Sequence, residues 1–307
     1  MKKSIIVVGI AAFALLFATS CKKENLTSKV VLKAGIESSP AKTYVDIVGP
    51  FTSWSENDHI LVNGNEMYIS ERYETKYQDE NHVLKVGYHT ADFTCDNWNG
   101  PKPGVETQLY AIYPATKQEQ NANGTWKSLV SLPATQLYRD GGFMDNVPMA
   151  VSNSGSLLNF KNVTCVLGVP VRTDKTNLHI TKVVLRNMDS EPSPLVADIW
   201  YPHWGNETQN IEIIGSESSE ITLKISENQN DGVLIQTDNK GTEFYFVVFP
   251  VSVSKLQIDF YSGNERVASI SKTLSGELEA GTIYDLVKNP NPDDRTPWNL
   301  DDYAPQN

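Results

Sequence analysis

The side chain best placed to do chemistry is the thiol of Cys21, which directly follows the small residues Ala18-Thr19-Ser20. Ahead of it, Lys2 and Lys3 give a positive start, and an apolar run follows from Ile5 to Ala18. That order is the one a secretory signal needs, and the run is too short to cross a bilayer, which takes about 20 residues. A cut between Ser20 and Cys21 would leave an amine and a thiol on one residue, both open to acylation. Residues 1–20 therefore read as a signal peptide, cut between Ser20 and Cys21.

Other reactive groups do not converge. The histidines at 59, 82, 89, 179 and 203 lack a metal-ligand spacing, and neither Gly-x-Ser-x-Gly nor His-Glu-x-x-His occurs. No glycine-rich phosphate loop is present. The expectation is a protein without catalysis, metal or cofactor. Cys95 and Cys165 are the remaining thiols; one bridge between them is possible in an oxidising compartment, but separate burial is the reading preferred, because Cys165 sits inside an apolar run. Trp200-Tyr-Pro-His-Trp204 concentrates aromatic rings. On a surface, Trp200 and Trp204 would stack on sugar rings. Alternatively Trp200 ends a strand pointing into a core and Trp204 covers a loop. Trp98, in Asp96-Asn-Trp-Asn-Gly100, is open to the same two readings.

Charge narrows the partners. The chain carries a formal −11, and losing Lys2 and Lys3 with the signal makes the exported part more acidic still. Such a surface is repelled by nucleic acid and by anionic lipid headgroups. Membrane attachment must come through acyl chains on Cys21, and several chains hold where one holds only marginally.

The elements that would position these residues are strands. Short β-rich runs recur between Gly, Pro, Asn and Asp, and helical periodicity is almost absent. Lys29–Ile36, Lys42–Val48, His59–Val62, His82–Val86, Thr107–Tyr113, Leu157–Phe160 and Thr164–Val171 read as strands, as do eight later segments between 180 and 287. In Leu256-Gln257-Ile258-Asp259-Phe260 the alternation is explicit. The fold class expected is all-β. Residues 21–28 form a polar, lipidated tether. Ser152–Ser156 is the expected joint between an N-terminal β-sandwich at 29–155 and a C-terminal one at 156–288. Residues 289–307, rich in Pro and Asp, read as an extended acidic tail.

Several segments in order resemble the fimbrillin family, lipoprotein-derived pilus subunits of Gram-negative anaerobes. They are Trp54-Ser-Glu-Asn-Asp58-His-Ile60, Leu109-Tyr-Ala-Ile-Tyr-Pro114, Leu132-Pro-Ala-Thr-Gln136, Val147-Pro-Met-Ala150 and Leu158-Asn-Phe-Lys-Asn162 running on to Val169. Phe244-Tyr-Phe-Val-Val-Phe-Pro250 and Gly281-Thr-Ile-Tyr-Asp-Leu286 close the series. The N-terminus likewise resembles a bacterial lipoprotein signal, with Ala18 where Leu is usual, and the resemblance implies that Cys21 is the lipidation site. Physically, Trp54 should pack in the first core, Asp58 should cap a turn, and Pro114 and Pro250 should end strands.

The resemblance implies two tandem transthyretin-like β-sandwiches and subunits that polymerise when a strand of one fills a groove of the next. It also implies an outer-membrane or fimbrial location, a role in cell adhesion, and other pilus subunits or a host protein or glycan as partners. In polymerising relatives a trypsin-like cut removes the first strand. Lys42 is the nearest basic residue in a suitable loop, so a mature chain would begin at Thr43. The first strand, Lys29–Ile36, should be buried across the N-terminal sandwich, Val31 included. The tail, with three prolines between Asn289 and Pro297, should be a weak donor, which favours an anchor, tip or accessory role over a stalk. The alternative is a surface glycan- or protein-binding lipoprotein that keeps the fold and does not polymerise.

Overall fold

A sequence of alternating apolar and polar residues folds here into strands throughout, and among the described residues there is no α-helix. The structure, a computed structural model, describes residues 28–37, 53–78, 84–100, 103–104, 107–140, 142, 144–203, 211–228, 231–288 and 296–305. The expected strand Lys42–Val48 and the tether lie outside these, apart from Ser28.

In chain order the first strands are β1 (Ser28–Ile36), β2 (His59–Val62), β3 (Asn65–Gln78), β4 (Leu84–Trp98) and β5 (Gln108–Tyr113). A hairpin follows, β6 (Gln118–Gln120) and β7 (Trp126–Ser131), then β8 (Thr135–Leu137), β9 (Met149–Ser154) and β10 (Leu157–Asn162). The later strands are β11 (Cys165–Arg172), β12 (His179–Ile180), β13 (Lys182–Asn187), β14 (Val196–Pro202), β15 (Glu212–Ser218) and β16 (Glu220–Lys224). The last are β17 (Val233–Leu234), β18 (Thr242–Val248), β19 (Lys255–Ser262), β20 (Glu265–Thr273), β21 (Ile283–Asp285) and β22 (Trp298–Asn299).

Seven strands close on themselves in the order β1-β10-β9-β5-β2-β3-β4. Their interior is filled by side chains, including Leu32, Ile60, Met67, Phe93, Leu109, Leu158 and Phe160, so this is a packed core. Trp54 sits at its centre as expected, edge-on to Phe93, Tyr113 and Phe160 at ring distances of 5.0, 5.2 and 5.5 Å. Asp58 shapes the turn after it, accepting from Ser55 N at 2.7 Å and from the Tyr113 hydroxyl at 2.9 Å.

The second core lies between the sheets β20-β19-β13-β16-β8, β18-β11-β21 and β15-β14-β7-β6. Strand β11 is buried along almost its whole length, as its apolar run requires of a central strand. Cys95 belongs to the first core and Cys165 to the second, and neither is bridged.

Position in sequence and position in space part company around residue 155. Ser152–Ser156, read above as a joint, is the β9–β10 turn, with Gly155 at φ +110°. Both strands beside it belong to the first barrel, β10 pairing with β1 and β9. Conversely, β7 and β8 come early in the chain yet pair with β14 and β16 of the second core. The physical reason is a shared wall. Strand β5 turns Leu109 and Ala111 into the first core and Ile112 into the second, and β9 divides Met149 and Ala150 the same way.

The C-terminal segment is also not free over its described part. Strand β22 lies parallel to β11, pairing Trp298 with Val171, and Trp298 and Leu300 are buried in the second core. A short 3-10 turn, Leu300–Tyr303, follows with Asn299 as its cap.

Candidate strand-exchange site

The first strand offers the clearest functional geometry. Its sequence Ser-Lys-Val-Val-Leu-Lys-Ala-Gly-Ile alternates, and pleating sends Val30, Leu32 and Ala34 to the inside at 5%, 1% and 0% exposure. Val31 points the other way and is 50% exposed, so the phase is set by Val30 and not by Val31. Lys29 and Lys33 share the outer face with it, facing Asp96 at 3.6 Å and Asp92 at 3.3 Å.

Strand β1 is the closing stave of the barrel. On one side it runs antiparallel to β4, from Ser28 opposite Trp98 to Gly35 opposite Thr90. On the other it runs parallel to β10, from Lys33 opposite Leu157 to Ile36 opposite Phe160. Its departure would leave the edges of β4 and β10 unpaired and an apolar trough floored by Phe93, Phe160 and Trp54. An open edge beside an empty apolar trough is what an added strand satisfies, through main-chain hydrogen bonds and alternate side-chain pockets.

Of the residues singled out in the sequence, Ser20, Cys21, Lys42, Thr43, Trp204 and His82 lie outside the described residues. Trp200 is described, and it is turned away from the second core. It sits half-buried on the outer face of β14, beneath the Lys127 ammonium at 4.3 Å, with Lys117 at 5.4 Å. Its neighbours Ile199 and Tyr201 take the inward positions. Trp98 is 5% exposed at the end of β4 and belongs to the first core.

Two functional features were missed in the sequence. One is β10 as a partner of β1, hidden because its residues follow the presumed joint. The other is His203, which is buried where the two cores meet, with Nε2 2.7 Å from Ser128 Oγ and its ring packed on Tyr110 and Tyr201. Burial without a counter-charge lowers its pKa from 6.5 to about 4. Its neighbours in sequence drew attention only as aromatics.

No family model matches the chain. No curated protein matches it either. Among solved structures, a candidate cell adhesion protein from Bacteroides ovatus is similar at 14% identity and a TM-score of 0.46, over 84% of this chain and 91% of its own. Another from Bacteroides uniformis is similar at 14% identity and a TM-score of 0.39, over 84% and 92%. The tip fimbrial protein Mfa3 from Porphyromonas gingivalis, with a C-terminal truncation, is similar at 11% identity and a TM-score of 0.31, over 81% and 82%.

Proposed function

We propose that this chain is a fimbrillin-like surface lipoprotein, held at the outer membrane through Cys21, that serves in cell adhesion as a structural or accessory pilus subunit. Its two cores are variants of the transthyretin-like sandwich, and it joins other subunits by strand complementation at the position of β1. The observation that supports this reading is the geometry of β1: the first strand among the described residues, whose inward row completes a core and which closes the barrel between β4 and β10. Cleavage after Lys42 would sever β1 from the rest of the chain, and that cut is part of the proposal.

The test is an SDS gel of unboiled cell-surface extract probed for this chain. A ladder of multiples, with subunits beginning at Thr43, is the expected result for a polymerising subunit. A single band whose N-terminus is acylated Cys21 would mark an uncut anchor or a monomer. The docked C-terminal segment favours that second role, because Trp298 and Leu300 already fill the chain's own second core. Cys21→Ser should release the protein from the membrane and abolish fatty-acid labelling; unchanged labelling refutes the anchor.

A further inference from the structure

Beside the β2–β3 turn lies an open cleft of about 710 Å³. That falls within the range of small-ligand sites, roughly 300–1,000 Å³. The cleft lies between the two cores: the β2–β3 turn and the ends of β4 and β5 come from the barrel, and the β6–β7 hairpin belongs to a sheet of the second core. Gln118 joins the two sides, accepting from Gly64 N at 2.9 Å and donating to Tyr110 O at 3.1 Å.

The lining is unusual for this molecule. Aromatic rings come from Trp98, Tyr110 and Trp126, and the rest of the wall is amide side chains, glycines and one threonine. Among the described residues, none that line the cleft is charged or aliphatic, in a chain whose composition is 21% charged. The scaffold beneath is braced. Asn63 accepts from Tyr110 N at 2.8 Å, and Asn65 accepts from Asn99 N at 2.8 Å while donating to Asn99 O at 3.0 Å. The Trp126 ring lies so close over the β2–β3 turn that a Cβ on Gly64, itself at φ +76°, would stand 3.0 Å from it. Only glycine allows that approach. Above this base, Asn99, Gln108 and Gln120 are exposed at the rim.

We propose that this cleft binds a neutral oligosaccharide, with Trp126 as the stacking platform, Trp98 and Tyr110 as walls, and the rim amides as hydroxyl partners. A sugar ring offers a flat C–H face and a fringe of hydroxyls; an aromatic face takes the first, and amides, each with donors and acceptors, take the second. A carboxylated or sulfated sugar would find no cation among the described lining residues and would meet a molecule of net charge −11. No residue of β1 lines the cleft, although Ser28 of β1 pairs with Trp98 at its edge.

The experiment takes the full chain, purified in a mild detergent, over an array of immobilised neutral oligosaccharides of glucose, galactose, mannose and N-acetylhexosamines, with sialylated and sulfated counterparts. The expected result is capture by at least one neutral member and a change in intrinsic tryptophan fluorescence on titration with it. Trp126→Ala should weaken that binding by at least about tenfold, the scale of one stacked ring, and Trp126→Phe by much less. Asn99→Ala, at an exposed position, should weaken it several-fold with an unchanged melting temperature, which keeps the test decisive if Trp126→Ala fails to fold. Absence of capture by every neutral member, preference for the acidic counterparts, or binding unaltered in Asn99→Ala and Trp126→Phe together with Trp126→Ala overturns the proposal.

Discussion

Gln136 shows how one side chain can stand in for a strand. It is buried in the second core, where its amide donates to Val247 O at 2.6 Å and accepts from Val247 N at 2.9 Å. Strand β18 has β11 on one side only, so its other edge needs such partners, and the two groups bonded by Gln136 are otherwise unpaired in a dry place. Gln136→Leu keeps the volume and removes both bonds; with each orphaned backbone group worth about 1–3 kcal/mol, urea unfolding should show a loss of about 2–6 kcal/mol. The turn Leu132-Pro-Ala-Thr-Gln136 was legible in the sequence, but its partner lies 111 residues away, beyond any local pattern. His203 was equally opaque for the same reason. Its folded pKa, about 4, lies below the unfolded 6.5, so the unfolded chain binds the extra proton first. Stability therefore falls as pH drops from 6.5 towards 4, by on the order of 3 kcal/mol in full, and no loss from this group occurs above 6.5. Thermal melts between pH 7.5 and 4.5 should show His203→Gln flattening that acid limb; an identical limb in the variant would exonerate the histidine.

At the scale of elements, β1 makes a sharp two-sided prediction. Leu32 is 1% exposed and Val31 is 50% exposed, although they are neighbours of similar chemistry. Leu32→Ala should cost about 2–5 kcal/mol through a cavity beside Phe93 and Phe160, whereas Val31→Thr should stay within about 0.5 kcal/mol. Chemical denaturation of the two variants separates them, and equal effects would mean that the register of β1 is not the one described. Strands β2, β10 and β19 were legible from alternation, and β11 from its continuous apolar run. Strand β3 was not. Its fourteen residues, Asn65–Gln78, are dominated by Glu, Arg, Lys, Ser and Tyr, and its pairing with β4 shifts register twice. Bulges move side chains from one face to the other and erase the period of two on which the reading depends. Strand β9 was missed because Met149 turns to the first core and Ala150 to the second, and β7 because it offers a single core position, Val130.

For the whole molecule the deciding question is what the C-terminus does. The polar, proline-rich composition after Lys288 reads as a tail in solution, but Trp298 at 5% exposure and Leu300 at 2% dock beside β11. Trp298 stacks edge-on to Tyr303 at 5.4 Å, and its indole donates to Leu286 O. Asp301 ties the following turn to the loop after β11, accepting from Asp174 N at 2.7 Å and Thr173 Oγ1 at 2.9 Å. Charge helps hold the same corner, since Lys175 lies 3.1 Å from Asp301. A segment held this way in its own subunit can donate to a neighbour only by giving these contacts up. Trp298→Ala should therefore destabilise the second core by about 3–5 kcal/mol, while leaving the barrel around Trp54 intact. Removing 289–307 should lower the melting temperature of the isolated chain as well. If the segment acts only inside its own subunit, any ladder formed by the intact protein will persist in a truncated chain that still folds. If it serves as a donor strand, the truncated chain will fold and the ladder will vanish. Near-ultraviolet circular dichroism reports the fold, and an unboiled gel of the same sample reports assembly, so the two roles give opposite results in one preparation.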